Sequence, residues 1–276
     1  MTTATMPHPT ASPPVAPARS PVPAVLRHSV TLARRGIVKT VHSTEALLDV
    51  TLQPVIFLLL FVYVFGGAIA GDTGTYLQYA LPGVLVQTVV FASAGTGTGL
   101  ADDLKTGIFD RFRSLPISRT APLLGAIGAD LVRYITSGVI MLAIGFLLGF
   151  RASGGVLGVL GVLGALGIVT VFAFGLCWVF TALAMVVREP HSVQGLGALV
   201  MLPLTFGSNV FVPTETLPGW LQAFVEINPV SKVADAARGL LTGGAVAGPT
   251  TAALIASGVL VVVFGPLAVA LYRRRT

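Results

Sequence analysis

An all-α polytopic membrane fold is predicted by three features of this 276-residue chain: several apolar runs near 20 residues, a hydrophobic content of 54% and a charged content of only 10%. A bilayer hydrocarbon core of roughly 30 Å takes about 20 helical residues to cross, so each such run is long enough to span. The mean hydropathy of +0.87 says the same of the chain as a whole. Thirty-two glycines fit this reading, because small residues let membrane helices approach backbone to backbone. The formal charge of +6 sits on bases that flank apolar runs. With no aromatic-basic surface module among them, they report topology and argue against nucleic acid as a partner.

Residues 1–24 form a separate zone with seven prolines between Pro7 and Pro23. No apolar core can form there, and a disordered Pro-rich cytoplasmic tail is expected. The zone lacks the basic stretch, continuous apolar run and cleavage site of a secretory signal, so it is expected to be retained. Residues 25–48 then predict an amphipathic interface helix. Leu26, Val30, Ala33, Ile37 and Val41 fall on one stripe, while His28, Arg35, Lys39 and His42 point mainly away from it. Such a helix lies in the headgroup boundary with its cations near anionic lipid; a solvent helix is the plainer alternative.

Six transmembrane helices are expected within a domain at 49–272, followed by a basic cytoplasmic tail at 273–276. Their predicted limits are 50–69, 79–100, 123 (effectively 131) to 150, 156–187, 193–212 and 251–271. Pro54, Pro82, Pro203 and Pro266 are tolerated inside these spans where neighbouring helices satisfy the freed backbone groups. Gly155, Gly158, Gly161, Gly164 and Gly167 recur every third residue in the fourth span. Each step turns by about 300°, so the stripe winds round the helix, and a close-packing seam and a low-complexity helix both remain open.

Charge bias gives an orientation. Arg27, Arg34, Arg35 and Lys39 precede the first span; Lys105, Arg111, Arg113 and Arg119 lie between the second and third; Arg188 follows the fourth; and Arg273, Arg274 and Arg275 follow the sixth. The alternate loops carry only Arg151, Lys232 and Arg238. The positive-inside rule then places both termini in the cytoplasm, with 102–119 and 188–191 on that side. Asp72 and the 213–249 connection are expected outside.

The interruption at 102–119 has helical order of its own. Leu104, Ile108, Phe112 and Leu115 share a face, with Lys105, Asp110, Arg111 and Arg113 elsewhere around it. A short amphipathic cytoplasmic helix is expected, stopped by Pro116. Ile108 and Phe112 can anchor it against membrane helices or a partner, while Arg111 and Arg113 can reach carboxylates or lipid phosphates; generic interfacial loops do the same. Asp130 and Arg133 form an i,i+3 pair near the expected entry of the third span, as a cytoplasmic membrane anchor or as a link from loop movement to helix movement.

Two amphipathic segments occupy the predicted external connection. Trp220 and Phe224 share one face, and Val233, Ala237 and Leu240 line another short helix ending near Gly243. Glu215, Glu226 and Asp235 are read as solvated carboxylates first and as contacts for a cationic substrate second. Catalysis and metal binding are not indicated. Cys177 is the lone cysteine, His8, His28, His42 and His191 are dispersed, and no nucleophile-base pair accompanies them. Lys39, Lys105 and Lys232 all lack the glycine-rich context of a phosphate loop.

The order of several short motifs carries a family resemblance. Asp102, Asp103 and Leu104 through Gly107, then Asp110, Arg111, Phe112, Arg113, Ser114, Leu115, Pro116, Ile117, Ser118 and Arg119, resemble the membrane permease of type-2 ABC exporters, especially daunorubicin-resistance-like permeases. The likeness continues through Asp130, Leu131, Val132 and Arg133; Arg188, Glu189 and Pro190; and Asn209 and Phe211 to Pro213. It then takes in Leu217, Pro218, Gly219, Trp220, Asn228, Pro229, Arg238, Gly239 and Leu240. His191 departs from the acidic residue expected after the Arg-x-Pro turn.

The resemblance implies that Lys105, Asp110, Arg111, Phe112 and Arg113 contact a separate ABC-type ATPase, positioned by Leu104, Ile108 and Leu115. It implies external half-helices marked by Trp220, Phe224, Asn228, Pro229 and Arg238. It further implies a permease homodimer in the bacterial inner membrane, ATP and Mg bound by the partner and not by this chain, and outward movement of an amphipathic drug, antibiotic or lipid-like molecule. A secondary transporter and a non-transporting scaffold or assembly protein are the alternatives from other classes.

Overall fold

The computed structural model describes residues 44–107, 121–153, 155–187 and 189–275, and every regular element among them is helical. The Pro-rich tail, the stripe from Leu26 to Val41 and the segment from Ile108 to Thr120 lie outside the described residues, as does Arg188. Helix α1, Thr44–Leu60, continues through Pro54 and passes into a five-residue π turn, Phe61–Phe65, and then α2, Gly66–Ala70. Gly71 closes α2 at φ 79°, a left-handed conformation that favours glycine. Asp72 then starts α3, Thr73–Lys105, its Oδ1 accepting from the Thr75 N–H at 2.8 Å. Hydrogen bonding from the Thr75 side chain, and then from its N–H, holds the Asp72 carboxyl below its ordinary range.

The remaining long helices are α4 (Ala121–Leu147), α5 (Gly155–Val186) and α9 (Ala247–Arg275). With 52–70 and α3 they give five helical stretches long and apolar enough to cross a membrane. The chain is therefore an all-α polytopic membrane protein. Helix α3 is the central post: most of its apolar stretch is buried, whereas most of that of α9 is not. Tyr76, Ala80, Leu81, Val84 and Leu85 on α3 are all but inaccessible, and α4, α5 and the 190–206 helix pack around them.

The expected fifth span takes a different form. Helix α6, Pro190–Phe206, is 17 residues long and ends at Gly207, after which residues 207–213 are non-helical. At 1.5 Å per residue α6 covers about 26 Å, just short of a full hydrocarbon crossing. Sequence chemistry explains the stop. Ser208 donates to the Thr205 carbonyl at 2.5 Å and accepts from the Val210 N–H at 3.3 Å, offering the backbone a local alternative to the helical ladder. The chain then makes a 3-10 turn, Thr214–Thr216, and two short helices, α7 (Gly219–Ile227) and α8 (Pro229–Thr242).

The glycine series in α5 resolves into different jobs. Gly155 begins the helix at φ 68°. A Cβ on Gly161 would strike the Leu240 carbonyl, and one on Gly164 would lie 3.2 Å from the Leu240 side chain, while Gly167 faces open space. A close seam therefore exists, but it is local to the crossing of α5 with α8.

A second difference concerns the charged interruption. Asp102, Leu104 and Lys105 belong to the last turn of α3, which ends with Thr106 donating to the Asp102 carbonyl at 2.9 Å. Gly107 follows at φ 70°, in the left-handed region, which ends the α3 helix there.

Candidate functional site

Three places concentrate polar chemistry in this apolar chain. The first is the broken stretch after α6. Non-helical backbone among membrane helices leaves carbonyls that protein groups must satisfy, and here they come from far away in sequence. Tyr76 Oη donates to the Phe211 carbonyl at 2.9 Å and Tyr79 Oη to the Asn209 carbonyl at 2.7 Å, both from the first turns of α3. Arg238 on α8 adds Nη2 to the same Asn209 carbonyl at 3.1 Å and Nε to the Tyr79 carbonyl at 3.3 Å. Asp235 accepts from both Arg238 Nη1 at 2.9 Å and Asn209 Nδ2 at 2.6 Å.

Asn228 works in the same way between α7 and α8. Its Nδ2 donates to the Leu204 and Gly207 carbonyls at 2.7 and 3.0 Å, and its Oδ1 caps α8 by accepting from Val230 N–H at 2.9 Å. Pro229 occupies the first turn of α8, where a missing N–H costs nothing. Phe211 stacks on Phe61 of the π turn, ring centres 4.0 Å apart, and on Phe206 at 5.5 Å. A Cβ on Gly83 would stand only 2.5 Å from the Val210 carbonyl, so α3 touches this stretch directly. Phe224 packs over Gly207, whereas Trp220 is 75% exposed, as suits an aromatic at a membrane–water boundary.

The second place is the opposite end of α3. Lys105 Nζ donates to Glu189 Oε2 at 2.7 Å, tying the last turn of α3 to the residue that precedes α6. The hydrogen bond from Lys105, and then its charge, hold the Glu189 carboxyl below its ordinary value of 4.5. Both side chains are more than half exposed, so solvent screens the pair. Of the predicted coupling residues, Lys105 and Leu104 are placed here, while Ile108, Asp110, Arg111, Phe112, Arg113 and Leu115 lie outside the described residues.

The third place is inside the helical bundle. Asp130 and Arg133 are ion-paired at 3.0 Å. Helix α4 is in place from Ala121, close to the earlier of the two expected starts, so Arg133 lies about 18 Å along it. Arg133 forms part of the wall of a cleft of about 350 Å³ shared by α1, α3, α4 and α6. Close by, the Tyr134 hydroxyl donates to the Ala92 carbonyl at 3.0 Å and meets Thr96 Oγ1 at 2.7 Å, and Thr96 lies 3.6 Å from buried Cys177. The cleft escaped the sequence reading. Gln87 in the middle of an apolar run was the available signal, since an amide in a membrane helix calls for a partner.

Among the described residues no three His, Cys, Asp or Glu side chains come together to hold a metal. What the arrangement can do is mechanical: two side-chain clamps at opposite ends of α3 hold α6 and the segment after it, with a polar cleft between.

A membrane bundle built on a central helix, a broken sixth helix and two short capping helices defines a class, and residues 28–242 match the family described as ABC-2 type transporter. The chain belongs to that family, as a non-catalytic membrane permease. It is 44% identical over 241 residues to the daunorubicin resistance ABC transporter permease protein DrrB1 of Streptomyces coeruleorubidus, covering 87% of this chain and 84% of that protein. It is 32% identical over 224 residues to the doxorubicin resistance ABC transporter permease protein DrrB of Mycobacterium tuberculosis strain H37Rv, covering 78% and 75%. The probable doxorubicin resistance permease DrrC of the same strain is 28% identical over 225 residues, covering 80% and 79%.

Proposed function

We propose that this chain is the membrane half of an ATP-driven exporter that moves an amphipathic drug- or lipid-like molecule outward, powered by a separate ABC-type ATPase. The observation that carries this reading is the match over most of the chain to permeases whose names state daunorubicin and doxorubicin resistance. Two copies pair, and both termini face the cytoplasm of a bacterial cell. Helix α6 with the capped 207–213 stretch acts as the fifth of six membrane passages, completed by α7 and α8 at the outer leaflet.

In this reading the segment 102–119 takes the ATPase contact through Lys105, Asp110, Arg111, Phe112 and Arg113, with Leu104, Ile108 and Leu115 setting its position. The Lys105–Glu189 bridge supports it, because it connects the start of that segment to α6. Movement of the segment is thereby passed to the helix whose far end is clamped by Asn228 and Arg238. Such a device works only if the partner binds one arrangement of these helices better than the other.

The test is reconstitution with the ATPase in inverted vesicles. ATP-dependent accumulation of daunorubicin, abolished by vanadate and absent with either subunit alone, is the expected result. No ATPase association and no accumulation under stabilising conditions would overturn the reading. Orientation has its own measurement: with Cys177 removed, an impermeant thiol reagent on intact cells is expected to label a cysteine placed at Thr73 and not one placed at Ser114. The opposite pattern would invert the topology.

A further inference from the structure

The cleft between α1, α3, α4 and α6 combines features that a lipid-facing seam does not need. Gln87 is 3% exposed, and its Oε1 has no hydrogen-bond partner among the described residues; Arg133 Nε is in the same condition. Both residues form the cleft wall. Two enclosed polar atoms in the residues of this wall thus lack a protein partner among the described residues, an uncommon and costly state. Gln53 on α1 and Gln194 on α6 are exposed at its edge, a costly pair of side chains to set against hydrocarbon.

The rest of the wall includes Phe57 and Phe91, both half-buried and able to take a flat apolar body. Charge decides which polar group fits. Arg133 already has Asp130 at 3.0 Å, so the wall is balanced and calls for neutral oxygens more than for an anion. A cleft of about 350 Å³ falls at the small end of the roughly 300–1,000 Å³ typical of small-molecule sites.

We infer that this cleft, within one protomer, binds a planar amphipathic molecule whose rings lie against Phe57 and Phe91 and whose hydroxyl or carbonyl groups meet Gln87 and Arg133. It rests on the exporter reading for its purpose, not for its chemistry. Arg133 is thus a ligand-facing residue as well as half of an ion pair.

Daunorubicin is a suitable probe, being planar, hydroxylated and fluorescent, and the full chain without its ATPase is the protein to titrate, in phosphatidylcholine–phosphatidylglycerol nanodiscs. Gln87→Leu removes hydrogen bonding at nearly constant volume and should weaken binding about threefold to tenfold. Ala198→Phe fills the cleft and should weaken it more than tenfold. Gly167→Ala, where an added Cβ meets nothing within 4 Å, should bind as the parent does. Were Gln87→Leu to misfold by size exclusion, Gln194→Leu at the edge replaces it, with a loss of about threefold expected.

Unchanged affinity in both the polar and the filling variant overturns the site. So does binding that falls as phosphatidylglycerol is raised and ignores these substitutions, since lipid is then the occupant. The exporter reading is read out separately in the vesicle assay. Binding that obeys these residues without ATP-driven uptake keeps the site and removes the exporter, and uptake with affinity indifferent to them does the reverse.

Discussion

Arg238 sits over Tyr79, its guanidinium carbon 4.0 Å from the ring centre, while its Nε donates to the carbonyl of the same residue. One side chain on α8 thus grips the first turns of α3 twice and reaches the broken stretch after α6 with a third bond, to Asn209. Replacement by lysine keeps a charge but loses the planar fork that makes this possible. Arg238→Lys is expected to lose about 2–4 kcal/mol of stability, from two charge-assisted bonds to carbonyls and the stacking. Thermal or denaturant unfolding in detergent measures it; a loss within experimental error would mean the clamp is ornamental.

Asn228 has every polar atom of its amide engaged: two carbonyls at the end of α6 and the N–H of Val230 at the start of α8. Asn228→Ala leaves buried carbonyls unmet and α8 uncapped, with an expected cost of about 2–4 kcal/mol. Asn228→Asp restores the cap alone and should recover only part of the loss. Comparing the two by the same unfolding measurement separates the cap from the carbonyl bridge.

The two glycines of α5 that look alike in sequence should behave oppositely. Gly161→Ala drives a methyl into the Leu240 carbonyl, backbone that cannot swing aside, whereas Gly167→Ala points into open space. The first should destabilise by about 1–3 kcal/mol. The second should be neutral or mildly stabilising, because alanine is the better helix former. Equal effects at both positions would mean that α5 and α8 do not cross as closely as described.

Hydropathy made the long helices legible, and glycine and proline marked their possible ends. It misled where apolar residues outlast a helix: Val210, Phe211 and Val212 extend the hydrophobic run past Gly207 although the backbone has already left the α6 helix. What holds that stretch is not written locally. Tyr76 reaches Phe211 across 135 residues and Arg238 reaches Tyr79 across 159, pairings that only the packed bundle supplies. Lys105 and Glu189, 84 residues apart, were each visible as charges, but nothing in spacing joins them. Asp130 and Arg133 are ion-paired as their i,i+3 spacing suggests, and the helix that carries them is in place from Ala121, close to the earlier of the two expected starts, so only the choice between those starts needed the structure.

The Lys105–Glu189 bridge gives a prediction in which stability and function part company. Since Glu189 sits below 4.5 because Lys105 donates to it, the bridge is present above that value and is lost as pH falls through the lowered one. Both groups are exposed, so the melting temperature should change little on Lys105→Glu. Uptake in the reconstituted system is a different matter, because reversing the charge places two carboxylates where α3 meets α6. Lys105→Glu and Glu189→Lys should each depress ATP-driven daunorubicin uptake severalfold, and the double exchange should restore much of it. Partner binding, followed by co-purification of the ATPase, distinguishes the two roles open to Lys105. Rescue by the exchange with ATPase binding intact throughout assigns Lys105 to the internal bridge. Loss of ATPase binding in Lys105→Glu that Glu189→Lys does not repair assigns it to the partner contact instead.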